Sequence, residues 1–175
     1  EHEQDPTLLA SIRFFLSNSL EQRDQQRYLQ RLSYYDMLTH LQNRNGYMER
    51  LKTWEQDPQE QVGGIYVDLN GLKHTNDMLG HEAGDALICR MAAALEAVFP
   101  GQAYRIGGDE FVVVLQNIRQ AAFEEKVRQL RDELLRQNVS GAVGAVWQAR
   151  PTDLEGLMRQ ADDRMYQEKE KMKRA

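Results

Sequence analysis

The chain has one cysteine, four prolines, no long apolar run and no excess of basic residues. Each scarcity excludes something. A single thiol, Cys89, can make neither an intramolecular disulfide nor a structural zinc site, and its apolar, periodic neighbourhood is that of a buried thiol. Without an apolar stretch of about 18 residues there is no pattern for a membrane-spanning helix. With 22 Lys and Arg against 27 Asp and Glu the formal net charge is −5, so no global basic field exists to gather nucleic acid by counterion release. No DNA or RNA partner is expected. A small phosphorylated ligand remains possible, because a few local cations and carboxylate-held metal ions suffice for it.

What is present describes a globular domain with an appended segment. Apolar residues make up 41% of the 175, enough for a real core, and charged residues 28%. The chain starts without Met and without a signal-peptide pattern, which reads as part of a longer protein with an upstream domain. Residues 7–35 contain neither Gly nor Pro, and Leu9, Ile12, Leu16 and Leu20 fall on one helical face. The polar run Glu21 to Arg27 interrupts the stripe before Tyr28, Leu32 and Tyr35 resume it. Residues 1–35 are therefore expected to form a linker or dimerisation helix, with a simple packed helix as the alternative, and residues 36–175 the main domain.

Beyond Tyr35 strands and helices alternate. Tyr47, Leu51 and Trp54 mark a helix ending near Asp57-Pro58, and Gly64 to Leu69 reads as a buried strand followed by the turn Asn70-Gly71. Leu87, Met91, Leu95 and Phe99 mark the next helix, with Asp85 a candidate N-cap. Tyr104 to Ile106 and Phe111 to Leu115 flank Gly107-Gly108-Asp109-Glu110, the spacing of a hairpin whose turn calls for residues tolerant of positive φ. Phe123, Val127, Leu130 and Leu134 form another helix, Ala142 to Trp147 a strand, and Thr152 to Glu155 a capping box for the last helix. The order is ferredoxin-like βαββαβ with extra helices, an α+β fold with an antiparallel central sheet flanked by helices. In that plan Asp68 and the pair Asp109 and Glu110, about 40 residues apart in sequence, converge at one end of the sheet.

Three carboxylates in one place repel unless a cation neutralises them, and hard oxygen donors suit Mg²⁺ or Mn²⁺. Such a site serves phosphoryl or nucleotidyl transfer; a solvated acidic turn is the alternative reading. Beside Asp68, the segment Asn70 to Lys73 can turn backbone N–H groups toward an anion, with Lys73 as a point charge.

Arg105-Ile106-Gly107-Gly108-Asp109-Glu110-Phe111 resembles the signature of GGDEF domains, the diguanylate cyclases. Asp68 to Asp77, with Gly80-His81 and Gly84-Asp85, resembles the family's other long block. Asp36-Met37-Leu38-Thr39 with Leu41, Asn43 and Arg44 is similar to its N-terminal motif, and Ala161-Asp162 with Tyr166 and Lys169 to its C-terminal one. The resemblance implies the fold of nucleotide cyclase and polymerase palm domains, and condensation of two GTP to cyclic di-GMP and two pyrophosphates across a homodimer. It places two Mg²⁺ or Mn²⁺ per GTP site on Asp68, the Leu69 carbonyl and Asp109, with Glu110 in support. Asp109, Glu110 and Lys73 become the catalytic set, Asp109 accepting the 3′-hydroxyl proton. Asn76 and Asp85 would read guanine with His81 nearby, while Lys73, the N–H groups of Gly71 and Leu72, Lys169 and Lys173 would hold the phosphates. It also implies cytoplasmic catalysis under an upstream sensory domain, in a parent compatible with membrane anchoring; a silent GTP-binding regulatory module is the alternative.

The sequence departs from that family in places. An inhibitory Arg-x-x-Asp product site is replaced by Val98-Phe99-Pro100-Gly101, so product inhibition through it is not expected. His40 stands where Gly is frequent, Met172 and Arg174 where Gly and Asn are usual, and Asn70 and Gly71 where an acidic and an aromatic residue are common.

Overall fold

The computed structural model describes residues 13, 16, 22, 23, 25, 33–57 and 60–174. Contacts divide the chain into Glu1–Tyr34 and Tyr35–Ala175. In the first unit the described residues are helical, and most of the expected stripe, Leu9, Ile12, Leu20, Tyr28 and Leu32, lies outside the described residues. In the second unit the elements run β1 (Gln42–Asn43), α1 (Arg44–Gln56), β2 (Val62–Leu69), α2 (Leu72–Leu79), α3 (His81–Val98), β3 (Ala103–Arg105), β4 (Glu110–Gln116), α4 (Gln120–Arg136), β5 (Gly141–Gln148) and α5 (Leu154–Arg174).

Strand β2 is buried along nearly its whole length, and such a strand belongs in the middle of a sheet covered on both faces. It sits there, antiparallel to β4 on one side and to β5 on the other, in the order β1-β3-β4-β2-β5. The last four of these strands are the expected βαββαβ core; the short β1 adds a parallel edge beside β3. Alternation sorts the side chains into two layers. Ile65, Val67, Leu69, Phe111 and Val113 pack with Leu87, Met91 and Leu95 of α3 and Leu130 of α4. Val62, Val112, Val114 and Val146 pack with Leu51 and Trp54 of α1 and Leu157, Met158 and Ala161 of α5. Helix α5 lies so close to β5 that a Cβ on Gly144 would collide with the Ala161 carbonyl oxygen and the Met165 backbone.

Side chains finish the outer edge of β5. The Val143 N–H donates to Glu168 Oε1 at 3.1 Å, and Arg164 Nη1 donates to the Ala145 carbonyl at 2.7 Å. Arg131 clamps Glu168 through its two terminal guanidinium nitrogens, tying α4 to α5.

Three local expectations change. Asp85 is no N-cap, because Gly80, at φ 86°, already ends α2 and starts α3, which places Asp85 inside the helix. The last helix is capped by Asp153, whose Oδ1 accepts from Gly156 N, and not by Thr152. In the hairpin turn neither Gly107 nor Gly108 has positive φ. Gly107 is instead crowded by Glu110, whose Oε2 would lie 2.5 Å from a Cβ there and would have to swing away, whereas Gly108 faces open space.

Candidate active site

At one end of the sheet the register places Asp68 of β2 directly opposite Glu110 of β4. The next residue of the turn is locked as well: the Leu69 N–H donates to the Asp109 carbonyl at 2.8 Å. The expected convergence of Asp68 with the Asp109-Glu110 turn is thus built by the β2–β4 ladder itself. One more β2–β4 feature follows from the period-2 alternation. Tyr66, two residues before Asp68, shares its face, and its hydroxyl donates to Glu110 Oε1 at 3.3 Å. Burial, then the charges of Glu110 and Asp162, push the Tyr66 phenol above its usual range, so it stays a donor. Asp162 of α5 is itself raised by burial, by Asp163 and by Asp68.

Asp68 is 7% exposed and its carboxylate carries a partner: Lys169 Nζ of α5 lies 2.6 Å from its Oδ1. A buried carboxylate needs such a counter-charge. Among the described residues no group of three or more His, Cys, Asp or Glu side chains could hold a metal ion by itself. The donor set nevertheless fits a divalent cation in its chemistry. Asp68, Asp109 and Glu110 supply hard oxygens, too few for a closed cage, which suits an ion whose other positions go to phosphate and water.

The turn is braced from below by the N-terminal motif. Arg105 Nη1 donates to Asp36 Oδ1 at 3.0 Å and Nη2 to the Gly108 carbonyl at 2.9 Å, while Thr39 gives Asp36 Oδ1 two more hydrogen bonds. Burial raises the Asp36 carboxyl, but the bonds from Thr39 and Arg105 outweigh it and hold the group below its ordinary value.

Facing the turn, a cleft of about 500 Å³ is lined by Leu69, Gly71, Lys73, Asp109, Lys169 and Lys173 among others. Gly71, at φ 78°, makes the left-handed bend that starts α2, and that helix has no side-chain N-cap. Its first N–H groups are therefore the kind of unpaired donors that bind anions. The cleft assembles Leu69, Gly71, Leu72, Lys73, Asp109, Lys169 and Lys173 as expected; Lys173, however, is paired with Glu170 at 2.8 Å. Asn76, His81 and Asp85 line the cleft nowhere; they belong to the α2–α3 pair. Asn76 Oδ1 is buried without a hydrogen-bond partner and packs where a Gly84 Cβ would clash, whereas His81 and Asp85 are exposed.

Sequence reasoning missed several residues here. Ser140 and Met172 also line the cleft and both contact Asn70 Nδ2, at 3.0 and 3.4 Å. Asn70, at a position where the family often has an acid, thus fastens the β2 end to the β5 entrance and to α5. Tyr66 was discoverable from its two-residue offset to Asp68; the Asp36–Arg105 pair, 69 residues apart, carries no local signal.

The family model described as "Diguanylate cyclase, GGDEF domain" matches residues 33–175. The chain is 34% identical to diguanylate cyclase DgcS of Shewanella oneidensis over 77% of its own length and 49% of that protein's. It is 31% identical to cyclic di-GMP phosphodiesterase PdeR of Escherichia coli over 86% of its own length, spanning 24% of that protein. The chain thus spans half or less of these relatives. The structure of the coiled coil and GGDEF domain of DgcB from Caulobacter crescentus, in complex with c-di-GMP, superposes with a TM-score of 0.79 at 20% identity, covering 94% of this chain and 95% of that one. That likeness concerns the fold.

Proposed function

The chain belongs to the GGDEF domain family of cyclic di-GMP signalling proteins, and from that premise we propose that it is an active diguanylate cyclase. The observation that carries this reading is the intact turn Gly107–Phe111, held to β2 by the Leu69–Asp109 bond and facing Lys73 and Lys169 across one cleft. One GTP would occupy each domain, its phosphates held by the N–H groups of Gly71 and Leu72, by Lys73, and by Lys169 and Lys173. Asn76 and Asp85 would select guanine, whose N1–H and N2 amine a carboxylate can accept together.

Two domains facing each other in a homodimer align each 3′-hydroxyl on the other nucleotide's α-phosphorus. The 3′-oxygen forms the new P–O bond, the bond to the bridging oxygen of the pyrophosphate breaks, and the hydroxyl proton passes to Asp109; two such transfers close the ring. Asp68, the Leu69 carbonyl, Asp109 and Glu110 would hold Mg²⁺ or Mn²⁺, two per site, which when bound neutralise charge on the triphosphate. Lys169 must leave Asp68 to reach a phosphate, which makes the cation and the nucleotide mutually supporting ligands. The segment over residues 1–35 would set the relative orientation of the domains on a cue from an upstream sensory domain, in the cytoplasm.

The test is incubation with GTP and Mg²⁺, assayed for cyclic di-GMP, beside Asp109→Ala. Product from the native chain alone supports the reading; product from both proteins, or from neither, overturns it. Asp85→Ser should admit ATP. The half-buried Lys169–Asp68 pair and the likeness to a cyclic di-GMP phosphodiesterase favour a second reading, a silent GTP-binding regulatory module. That reading requires saturable GTP binding with no product.

A further inference from the structure

A second hollow, of about 410 Å³, borders the signature turn on residues the cleft does not use. Its walls are the start of α1, with Asn43, Arg44 and Asn45, and the stem and first residues of the turn, with Arg105, Gly107 and Gly108. The turn thus serves two cavities, giving Asp109 to the cleft and the two glycines to the hollow.

The hollow carries uncompensated positive charge. Arg44 is the first residue of α1, exposed, in a first turn with no acidic residue. A cation there opposes the helix macrodipole, an arrangement that folding alone does not favour. Among the described residues its guanidinium has no hydrogen-bonding or ionic partner. The other arginine, Arg105, has its Nε buried without a partner. The one acid of the lining, Asp36, is already engaged by Arg105 and Thr39. Guanidinium groups next to a helix N-terminus and glycine backbone are the chemistry that receives phosphate.

We infer that the hollow binds a phosphate of the nucleotide carried by a second copy of this chain, with Arg44 as its principal ligand. This rests on the cyclase reading, in which the domain's own triphosphate is held across the turn by Lys73, Lys169 and Lys173 while the second GTP must approach Asp109 from outside. A cationic hollow adjoining the same turn meets that incoming nucleotide. Each site is then incomplete until the partner's Arg44 arrives, so nucleotide and dimerisation reinforce one another.

The experiment uses the full chain, with Arg44→Glu and Arg44→Lys, and 3′-deoxy-GTP with Mg²⁺, a substrate analogue lacking the attacking hydroxyl. Light scattering follows dimer formation, titration at low protein concentration gives the affinity of the domain's own cleft, and GTP turnover is measured separately. The expected result is analogue-driven dimerisation that Arg44→Glu weakens by about tenfold or more, with turnover falling alongside, while cleft affinity and melting temperature are kept and Arg44→Lys retains part of both. Unchanged dimerisation in Arg44→Glu overturns the inference, as does an equal loss of cleft affinity, which would put Arg44 on its own nucleotide. Inorganic pyrophosphate driving the same Arg44-dependent dimerisation would assign the hollow to a free anion and also overturn it. If the native chain makes no product yet dimerises with the analogue through Arg44, the cyclase reading fails and the shared site stands.

Discussion

The signature turn and its β2–β4 stem have already made their bonds, and the neighbouring α2–α3 pair has not. The turn side is fixed at each step: Arg105 bridges Asp36 and the Gly108 carbonyl, Tyr66 holds Glu110, and the Leu69 N–H holds the Asp109 carbonyl. The α2–α3 side leaves Lys73, His81 and Asp85 exposed, Asn76 Oδ1 unpaired, and Met78 and Leu79 at 68% and 74% exposure. Groups that must stand at fixed positions around reacting atoms benefit from being organised before the ligand arrives. Groups proposed to select a base could instead be ordered by the base itself. The difference separates a fixed wall from an open one.

This contrast can be broken by attacking what fixes the rigid wall. Gly144→Ala should have the largest effect, because α5 must move off β5 and carry Lys169 away from Asp68. A loss of about 3 kcal/mol in urea unfolding is expected, and a native-like midpoint would show that α5 is not locked. Arg105→Ala follows, at about 2 kcal/mol for the charged hydrogen bonds removed. Its cyclic di-GMP formation should fall further than its stability explains, since the turn loses its brace. A smaller effect is set by pH. Asp36 has its folded pKa depressed, so its stabilisation is complete above the unfolded value of about 3.9 and is lost as pH falls through the folded value. Asp36→Asn should therefore flatten the drop of melting temperature below about pH 4; an unchanged acid limb would remove Asp36 from the brace. Least of all, Leu79→Ser on the open wall should change stability by under about 0.5 kcal/mol. A larger loss measured by calorimetry would mean that wall is packed after all.

The rigid wall was also the more legible one in the sequence. An apolar run ending at Asp68, and a glycine pair followed by two acids, carry their own position, and the βαββαβ order then forces them together. Tyr66 is marked only by its two-residue offset from Asp68, because a strand buried along nearly its whole length shows no alternation of its own to read. Asp85 looked like a cap because caps are acidic or polar, yet the helix boundary was decided five residues earlier by the backbone of Gly80. The hairpin glycines were assigned to backbone conformation, yet neither has positive φ, and Gly107 only leaves room for the present position of the Glu110 carboxylate. The brace through Asp36 and the reach of Lys169 to Asp68 depend on tertiary placement across 69 and 101 residues, which no local pattern records.

The trimmed edge of β5 has a bearing on how copies of this domain can meet. Glu168, Arg131 and Arg164 take up the backbone groups of Val143 and Ala145 that another strand would need. Sheet continuation is closed to a neighbour along that stretch, so pairing there cannot proceed by adding a strand. Copies meeting along that stretch would have to do so through side chains, contacts that form and part without tearing a ladder of backbone bonds.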